Sequence, residues 1–472
     1  MMDDATAPDN HPVTGPIARL AQRVTGGFER WMPDAFVFAL AATLLCVLAA
    51  YAVDPNVRAD PTLVVMAWGN GFWELARFTL QMSMIIVGGF VLASSSPAGR
   101  LIGRLAAIPG NGRSAVLAVA LVAMLSSLLN WGFSLVFSAL YAKAVARRRP
   151  DADYRALAAA SFLGLGTVWA QGLSGSAALQ IASETSMPKV LFALVGTIPL
   201  SETIFRWQSV ACVVIEIVVV AALVWVVAPV GERAKNAAQL GVELGEEGTG
   251  RAGVSAERPG EVLENRPWLL LPVVALGFGY LGVNAARRAD SLVGALNTLD
   301  VNTVNLVLLM LGALLHWTPA SLMRAVRDAT PAVWGVLLQF PFYAGIAGVM
   351  TGTALSKTMA GWFVGVSNAT IFPAMVVAYS ALLGIFVPSG GSKWVIEAPY
   401  VLTAAKELGV SAGWMVVTYD LGEAIANLVQ PFWMLPILAL LGLRARDVMG
   451  HTFLVALVLF PLVCGLVTVF RP

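Results

Sequence analysis

The chain has 472 residues, 58% of them hydrophobic and 12% charged, against about 25% charged residues in a soluble globular protein. This excludes a soluble enzyme or a nucleic-acid-binding domain and makes the chain an all-α polytopic membrane protein. The net charge of +2 is small, so the placement of the basic residues carries more information than their sum.

Residues 1–33 are polar and lack the early apolar core of a cleavable signal. They read as a cytoplasmic tail, in which 17–32 is either a short basic surface helix or ordinary disordered chain. The first span is expected at 34–53 and serves as the insertion signal. Asp54-Pro55 and Asp60-Pro61 mark 54–72 as a loop with room for a surface helix. The second span is 73–96, with Glu74 and Arg77 expected to pair near its end. A basic connection holding Arg100, Arg104 and Arg113 follows.

Residues 114–142 are apolar but interrupted at Ser126–Gly132, and Lys143, Arg147, Arg148, Arg149 and Arg155 come next. Basic residues flank both ends, and cytoplasmic ends attract Lys and Arg, so both ends favour one side. That pattern predicts a hairpin; one long tilted helix is the competing reading. Residues 156–184 are a further apolar segment, broken at Gly172–Ser176. Pro188, Pro199, Glu202 and Arg206 make 185–207 an external interfacial stretch, and 208–229 returns to the cytoplasm. Residues 230–266, rich in Gly and Glu, are expected to be a mobile cytoplasmic linker. Spans at 267–285, 301–316 and 331–353 follow, with Arg324 and Arg327 after the middle one.

The stretch 369–405 has two apolar arms around Val387-Pro388-Ser389-Gly390-Gly391-Ser392-Lys393-Trp394. Pro388 ends the first arm, and Gly390 and Gly391 open the backbone. Irregular backbone cannot face lipid, so this centre must be packed in protein or line a cavity. A re-entrant hairpin is expected, against a single span with a glycine kink. Residues 412–443 are a long segment interrupted at Asp420, Gly422, Glu423, Asn427, Gln430 and Pro431, and 452–470 is the last span.

Nine spans and two hairpins, with the N-terminus inside, put 20 of the 30 Lys and Arg on the cytoplasmic side. The first hairpin then lies on the cytoplasmic side and the second on the outer side. Gln81 precedes Asn130 by 49 residues, as Gln339 precedes Pro388, and at that offset Gly132 meets Gly390 and Ser134 meets Ser392. The halves 34–229 and 267–472 each run span, hairpin, broken span, span, with opposite orientation. This is the inverted-repeat plan of secondary transporters, with a site at the repeat interface near mid-membrane.

The site is expected from four pieces. Asn130, Trp131 and Gly132 form one tip, and Ser389, Gly390, Gly391, Ser392 and Lys393 the other. Ser174, Gly175 and Ser176 come from one break and Asn427 from the other. Broken helices expose N–H groups to anions and carbonyls to cations, which suits a small carboxylate with a coupling cation. Close helix packing is the ordinary role of any one of these small residues. Ionisable groups at membrane depth are costly and usually functional. Glu397, Asp420 and Glu423 are therefore candidates for proton or sodium coupling, or else structural partners, and a sodium position is expected near Ser174 and Ser389. Lys393 and Glu397, four apart, form an internal pair or leave Lys393 to meet the substrate. Glu216 reads as a proton carrier or as a partner to another helix. Cys46, Cys212 and Cys464 read as small buried hydrophobes, and His11, His316 and His451 lie too near segment ends for a proton relay. No cofactor is expected.

NWGFSLVFSALYAKAVARR (130–148), GLSGSAAL (172–179), VPSGGSKW (387–394) and YDLGEAIANLVQPFW (419–433) together resemble the bacterial short-chain fatty acid transporter family. AWGNGFWELARFTLQMSMIIVGG (67–89) and IPLSETIF (198–205) fit it too, and the resemblance runs from about residue 17 to the C-terminus. It implies membership of the ion transporter superfamily, uptake of short carboxylates such as acetoacetate or butyrate, and a homodimer in the inner membrane. The chain departs from the family pattern at Glu397, where Gln is expected, and at Lys393, where a different or uncharged polar residue is expected. That charge pair keeps a dicarboxylate or amino-acid-like substrate open. An ion channel is a further alternative, and a membrane enzyme is disfavoured by the absence of HExxH, GxSxG and P-loop patterns.

Overall fold

The computed structural model describes residues 35–244, 258–288, 294 and 299–472. The expected tail 1–33, its surface helix 17–32 and residues 245–257 of the linker lie outside the described residues.

The described residues form helices and no strand. The first half holds α1 (Ala35–Val53), α2 (Pro55–Ala59), α3 (Thr62–Gly71), α4 (Ala76–Ala93) and α5 (Ser96–Leu105). It continues with α6 (Gly112–Leu129), α7 (Trp131–Arg148), α8 (Tyr154–Gly166), α9 (Ser176–Ile181), α10 (Lys189–Val195) and α11 (Trp207–Val227). The second half begins with α12 (Pro259–Asn265), α13 (Leu270–Arg288), α14 (Val301–His316), α15 (Pro319–Ala329), α16 (Trp334–Gly352) and α17 (Leu355–Val366). It ends with α18 (Phe372–Phe386), α19 (Gly390–Leu408), α20 (Ala412–Asn427), α21 (Leu435–Leu441) and α22 (Ala445–Val469). Eight helical segments among the described residues are long and apolar enough to cross a membrane. Leu44, Leu45, Val218 and Leu276 on α1, α11 and α13 are exposed, whereas α8, α19 and α20 are almost wholly enclosed. The enclosed helices form the centre and the leucine- and valine-studded ones the periphery, as a lipid solvent permits.

Two fold-backs organise that centre. Helices α6 and α7 pack along each other and are joined by one extended residue, Asn130, whose side chain accepts from Phe133 N–H at 2.7 Å. This pair runs over 112–148, longer than the 114–142 read from apolarity. Lys143, Arg147 and Arg148 extend α7 instead of ending it, since cations suit a helix C-terminus. Helices α18 and α19 turn at Val387–Ser389 and meet through long side chains, with Tyr400 donating to Tyr379 at 3.0 Å.

The two breaks fall differently from expectation. The first spans 167–175 and contains the 3-10 turn Trp169–Gln171. Its backbone is satisfied by the neighbouring hairpin, Leu173 N–H donating to the Leu128 carbonyl at 2.7 Å. In the second, α20 continues unbroken through Asp420, Gly422 and Glu423, and the interruption begins only at Leu428. Gly422 serves close packing there: a Cβ on it would stand 2.5 Å from the Val377 carbonyl oxygen. Of the residues expected to interrupt the segment, Gln430 and Pro431 lie in the break, while Asp420, Gly422, Glu423 and Asn427 lie on the enclosed helix before it.

Residues 230–244 are fastened to the core, contrary to the mobile linker expected. Lys235 N–H donates to Asp153 Oδ2 at 3.0 Å, and its carbonyl accepts from Tyr154 N–H at 2.8 Å. Arg147 reaches the Leu244 carbonyl at 2.6 Å. Glu74 and Arg77 are both exposed on the surface, and no ion pair joins them among the described residues.

Candidate functional site

The two turns and two breaks converge on one small buried cavity of about 30 Å³, room for roughly two waters. Trp131 from the first tip, Trp169 and Ser176 from the first break, and Ser389, Gly390 and Gly391 from the second tip line it. Glu423 and Asn427 of α20 and Trp433 beyond it complete the wall, with Met82, Ile86 and Phe340 from α4 and α16.

The two tips are built differently. In the first, the leading N–H groups of α7 are taken up inside the protein. Trp131 N–H donates to Ser174 Oγ at 2.9 Å and Phe133 N–H to Asn130 Oδ1. Asn130 thus caps a helix, and Ser174 ties the first break to the first tip; neither lines the cavity. Gly132 lies against the Ile86 backbone, and Gly175 is held by close approach to the Ala170 carbonyl. In the second tip, Ser389 makes no side-chain cap to α19, and its hydroxyl instead accepts from Ser392 Oγ at 2.5 Å. The first backbone bond of that helix is Lys393 N–H to the Ser389 carbonyl, at 3.0 Å. The N–H groups of Gly390, Gly391 and Ser392 therefore have no partner within the helix. They belong to a 19-residue helix whose positive end borders the cavity.

Bulk is excluded from this tip by its neighbours. A Cβ on Gly390 would stand 2.8 Å from the Trp169 ring, and one on Gly391 2.5 Å from Phe78. Tyr419 on α20 donates to the Gly390 carbonyl and fixes the turn from behind. Trp433 Nε1 donates to the Pro388 carbonyl at 2.9 Å and lies 5.2 Å from the Trp131 ring.

Behind Glu423 lies the charge cluster. Lys393 Nζ is 2.9 Å from Glu397 Oε1 and 2.9 Å from Glu423 Oε2, with Ser380 Oγ at 2.6 Å. All three charged groups are enclosed. Lys393 and Glu397 thus form the internal pair that their spacing allowed. Asp420, one turn before Glu423, is also enclosed, and neither of its carboxyl oxygens has a hydrogen-bond partner among the described residues. Asn427 donates to the Leu165 carbonyl at 3.3 Å and accepts from Gln430 at 2.8 Å.

Of the residues picked from the sequence, Trp131, Ser176, Ser389, Gly390, Gly391, Glu423 and Asn427 line the cavity. Asn130, Gly132, Ser174, Gly175, Ser392, Lys393, Glu397 and Asp420 stand behind the wall. Trp394, which follows the second tip, packs on Tyr419 at 4.7 Å and does not line the cavity. Sequence reasoning missed Met82, Ile86, Leu165, Trp169, Val336, Phe340 and Trp433. An aromatic residue beside a helix break was the available signal for both tryptophans.

The family model for short chain fatty acid transporters matches residues 16–470. A protein of Escherichia coli (strain K12) is 36% identical over 439 residues, covering 92% of this chain and 96% of that one. A protein of Haemophilus influenzae (strain ATCC 51907 / DSM 11121 / KW20 / Rd) is 31% identical over 442 residues, covering 92% and 95%. Both are named "Putative short-chain fatty acid transporter". The fold is similar to that of the Alcanivorax borkumensis YdaH transporter, at a TM-score of 0.56 and 14% identity over 93% of this chain and 98% of that one. It is also similar to Neisseria gonorrhoeae MtrF, at 0.59 and 12% over 95% and 97%. The chain is a multi-pass membrane protein and belongs to the short-chain fatty acid transporter family.

Proposed function

We propose that this protein is a secondary active transporter that takes up short-chain monocarboxylates, such as acetoacetate or butyrate, with a coupling cation, proton or sodium. The observation that carries the reading is the uncapped second tip. The N–H groups of Gly390 and Gly391 lie at the cavity wall, at the positive end of α19, which is the arrangement that attracts a carboxylate. The alkyl tail lies against Trp131, Trp169 and Trp433. A cavity of about 30 Å³ holds a carboxylate's oxygens better than a whole four-carbon acid, so the tryptophans move apart to admit substrate.

In the same reading the two fold-backs are re-entrant hairpins entering from opposite faces, related as an inverted repeat. The protein works as a homodimer in the bacterial inner membrane with its N-terminus in the cytoplasm. The order span, fold-back, broken helix, span in both halves supports the inverted repeat. A dicarboxylate substrate is disfavoured because Lys393 is engaged by Glu397, Glu423 and Ser380. Uptake of radiolabelled butyrate and acetoacetate into proteoliposomes is the test. Saturable uptake under an imposed proton or sodium gradient is expected, and its absence under both would overturn the reading.

A further inference from the structure

The oxygen shell around Lys393 has the make-up of a cation site. Two carboxylate oxygens, Glu397 Oε1 and Glu423 Oε2, lie at 2.9 Å from the ammonium. The Ser380 carbonyl lies at 3.0 Å and its hydroxyl at 2.6 Å, while the Tyr419 ring sits 4.4 Å below. Carboxylate, carbonyl and hydroxyl oxygens are what a hard metal cation selects. Here the chain itself supplies the cation.

Charge balance gives the second observation. Lys393, Glu397, Asp420 and Glu423 share this enclosed volume, none more than 1% exposed. Three ionised carboxylates against one ammonium would leave two uncompensated negative charges, which is costly at membrane depth. At least one carboxyl must hold a proton. The ionisable groups acting on Asp420 are Glu423 and Lys393, and those acting on Glu423 are Lys393 and Glu397. The tyrosine hydroxyls of Tyr379, Tyr400 and Tyr419 complete the titratable surroundings from α18, α19 and α20. Asp420 alone of the three carboxyls has neither a hydrogen bond nor an ion pair among the described residues. Ionised, it would lose its hydration with nothing in return; as a neutral acid it loses far less.

We propose that Lys393 is a resident cation standing where a coupling metal ion would otherwise bind, and that uptake is coupled to a proton carried by Asp420, not to sodium. This deepens the transport reading above and rests on it. Asp420 takes a proton from the side of uptake and is neutral when the substrate's negative charge reaches the Gly390 tip. The carboxylate leaves first on the far side and the proton follows it. Lys393 keeps its charge throughout and pairs Glu397 and Glu423 in every state.

The experiment is butyrate uptake into proteoliposomes under an inward proton gradient, with choline or sodium as the external cation. Wild-type uptake is expected to be the same in both. Asp420→Asn, fixed in the neutral form, is expected to lose gradient-driven accumulation while retaining exchange of labelled for unlabelled butyrate. Lys393→Ala empties the oxygen shell and is expected to transport poorly in choline and to recover with sodium or ammonium. Because Lys393→Ala can fail to fold, a second measurement uses the purified wild-type protein, whose thermal unfolding midpoint should not move with sodium. Sodium-dependent wild-type uptake, or a midpoint that rises with sodium, would overturn the proposal and leave the transport reading standing. A folded Lys393→Ala protein that responds to neither cation would overturn it as well. Absence of saturable wild-type uptake under every gradient would remove the transport reading and this proposal together.

Discussion

Lys393 Nζ lies 2.9 Å from Glu423 Oε2, so one enclosed side chain joins the second fold-back to α20. Its contact with Glu397 Oε1 is equally short. Lys393→Met would leave two carboxylates facing each other with no counter-charge. Breaking a buried pair by removing one partner costs about 3–5 kcal/mol, and the thermal unfolding midpoint in detergent should fall accordingly. The triple variant Lys393→Met, Glu397→Gln, Glu423→Gln removes the stranded charge and should recover part of that loss. A triple variant no more stable than the single one would show that packing, and not charge, sets the penalty.

Gly390 offers a sharper separation of folding from transport. A Cβ there would stand 2.8 Å from Trp169, and the exposed N–H of the tip would be screened from any carboxylate. Gly390→Val should therefore insert and purify normally yet show no saturable butyrate uptake. Ser389→Ala removes the acceptor of the Ser392 hydroxyl and should weaken uptake in the same direction. Normal transport in both variants would move the site elsewhere.

The outline of this site was legible because helix-breaking chemistry is local. Pro388 announces its turn wherever it occurs, although Gly390 and Gly391 prove to be helical and serve close packing against Trp169 and Phe78, and the basic residues around 114–142 report which ends share a side. In the second break, Glu423 and Gly422 look like interruptions only while their neighbours are out of view. Lys393 comes from another helix, and Gly422 fits against the Val377 backbone. Trp169 and Trp433 escaped notice for the opposite reason. Tryptophan is common in membrane helices, and only the fold shows that these two close the cavity around Gly390.

Those tryptophans set the size of the cavity. Trp131 and Trp433 meet edge to face at 5.2 Å, and Trp169 lies 6.3 Å from Trp131. Trp169→Phe or Trp131→Phe should enlarge the space and shift competition of butyrate uptake toward longer monocarboxylates. One methylene in an apolar pocket is worth about 1–3 kcal/mol, or roughly 10–200-fold in discrimination. A panel of acids of increasing length measures the shift directly. An unchanged order of competition would place the tail away from these rings.

Asp153 makes a prediction about the segment that was expected to be mobile. Burial opposes its ionisation. The Arg155 guanidinium at 2.7 Å and the N–H groups of Lys235 and Ala156 outweigh that and hold its carboxyl below the ordinary range. A carboxyl whose folded-state value is depressed stabilises the protein above its unfolded-state value, and that stabilisation is lost as pH falls through the folded-state value. The carboxylate caps α8 and holds Lys235 at once, so Asp153→Ala removes a cap worth about 1 kcal/mol and frees residues 230–244 from α8. The variant should be cut faster by protease within that segment at neutral pH. Its unfolding midpoint should also fall less steeply than that of the wild type as the pH drops below the ordinary carboxylate range. Equal cleavage rates and parallel pH profiles would mean that Arg147, through the Leu244 carbonyl, suffices to hold the segment in place.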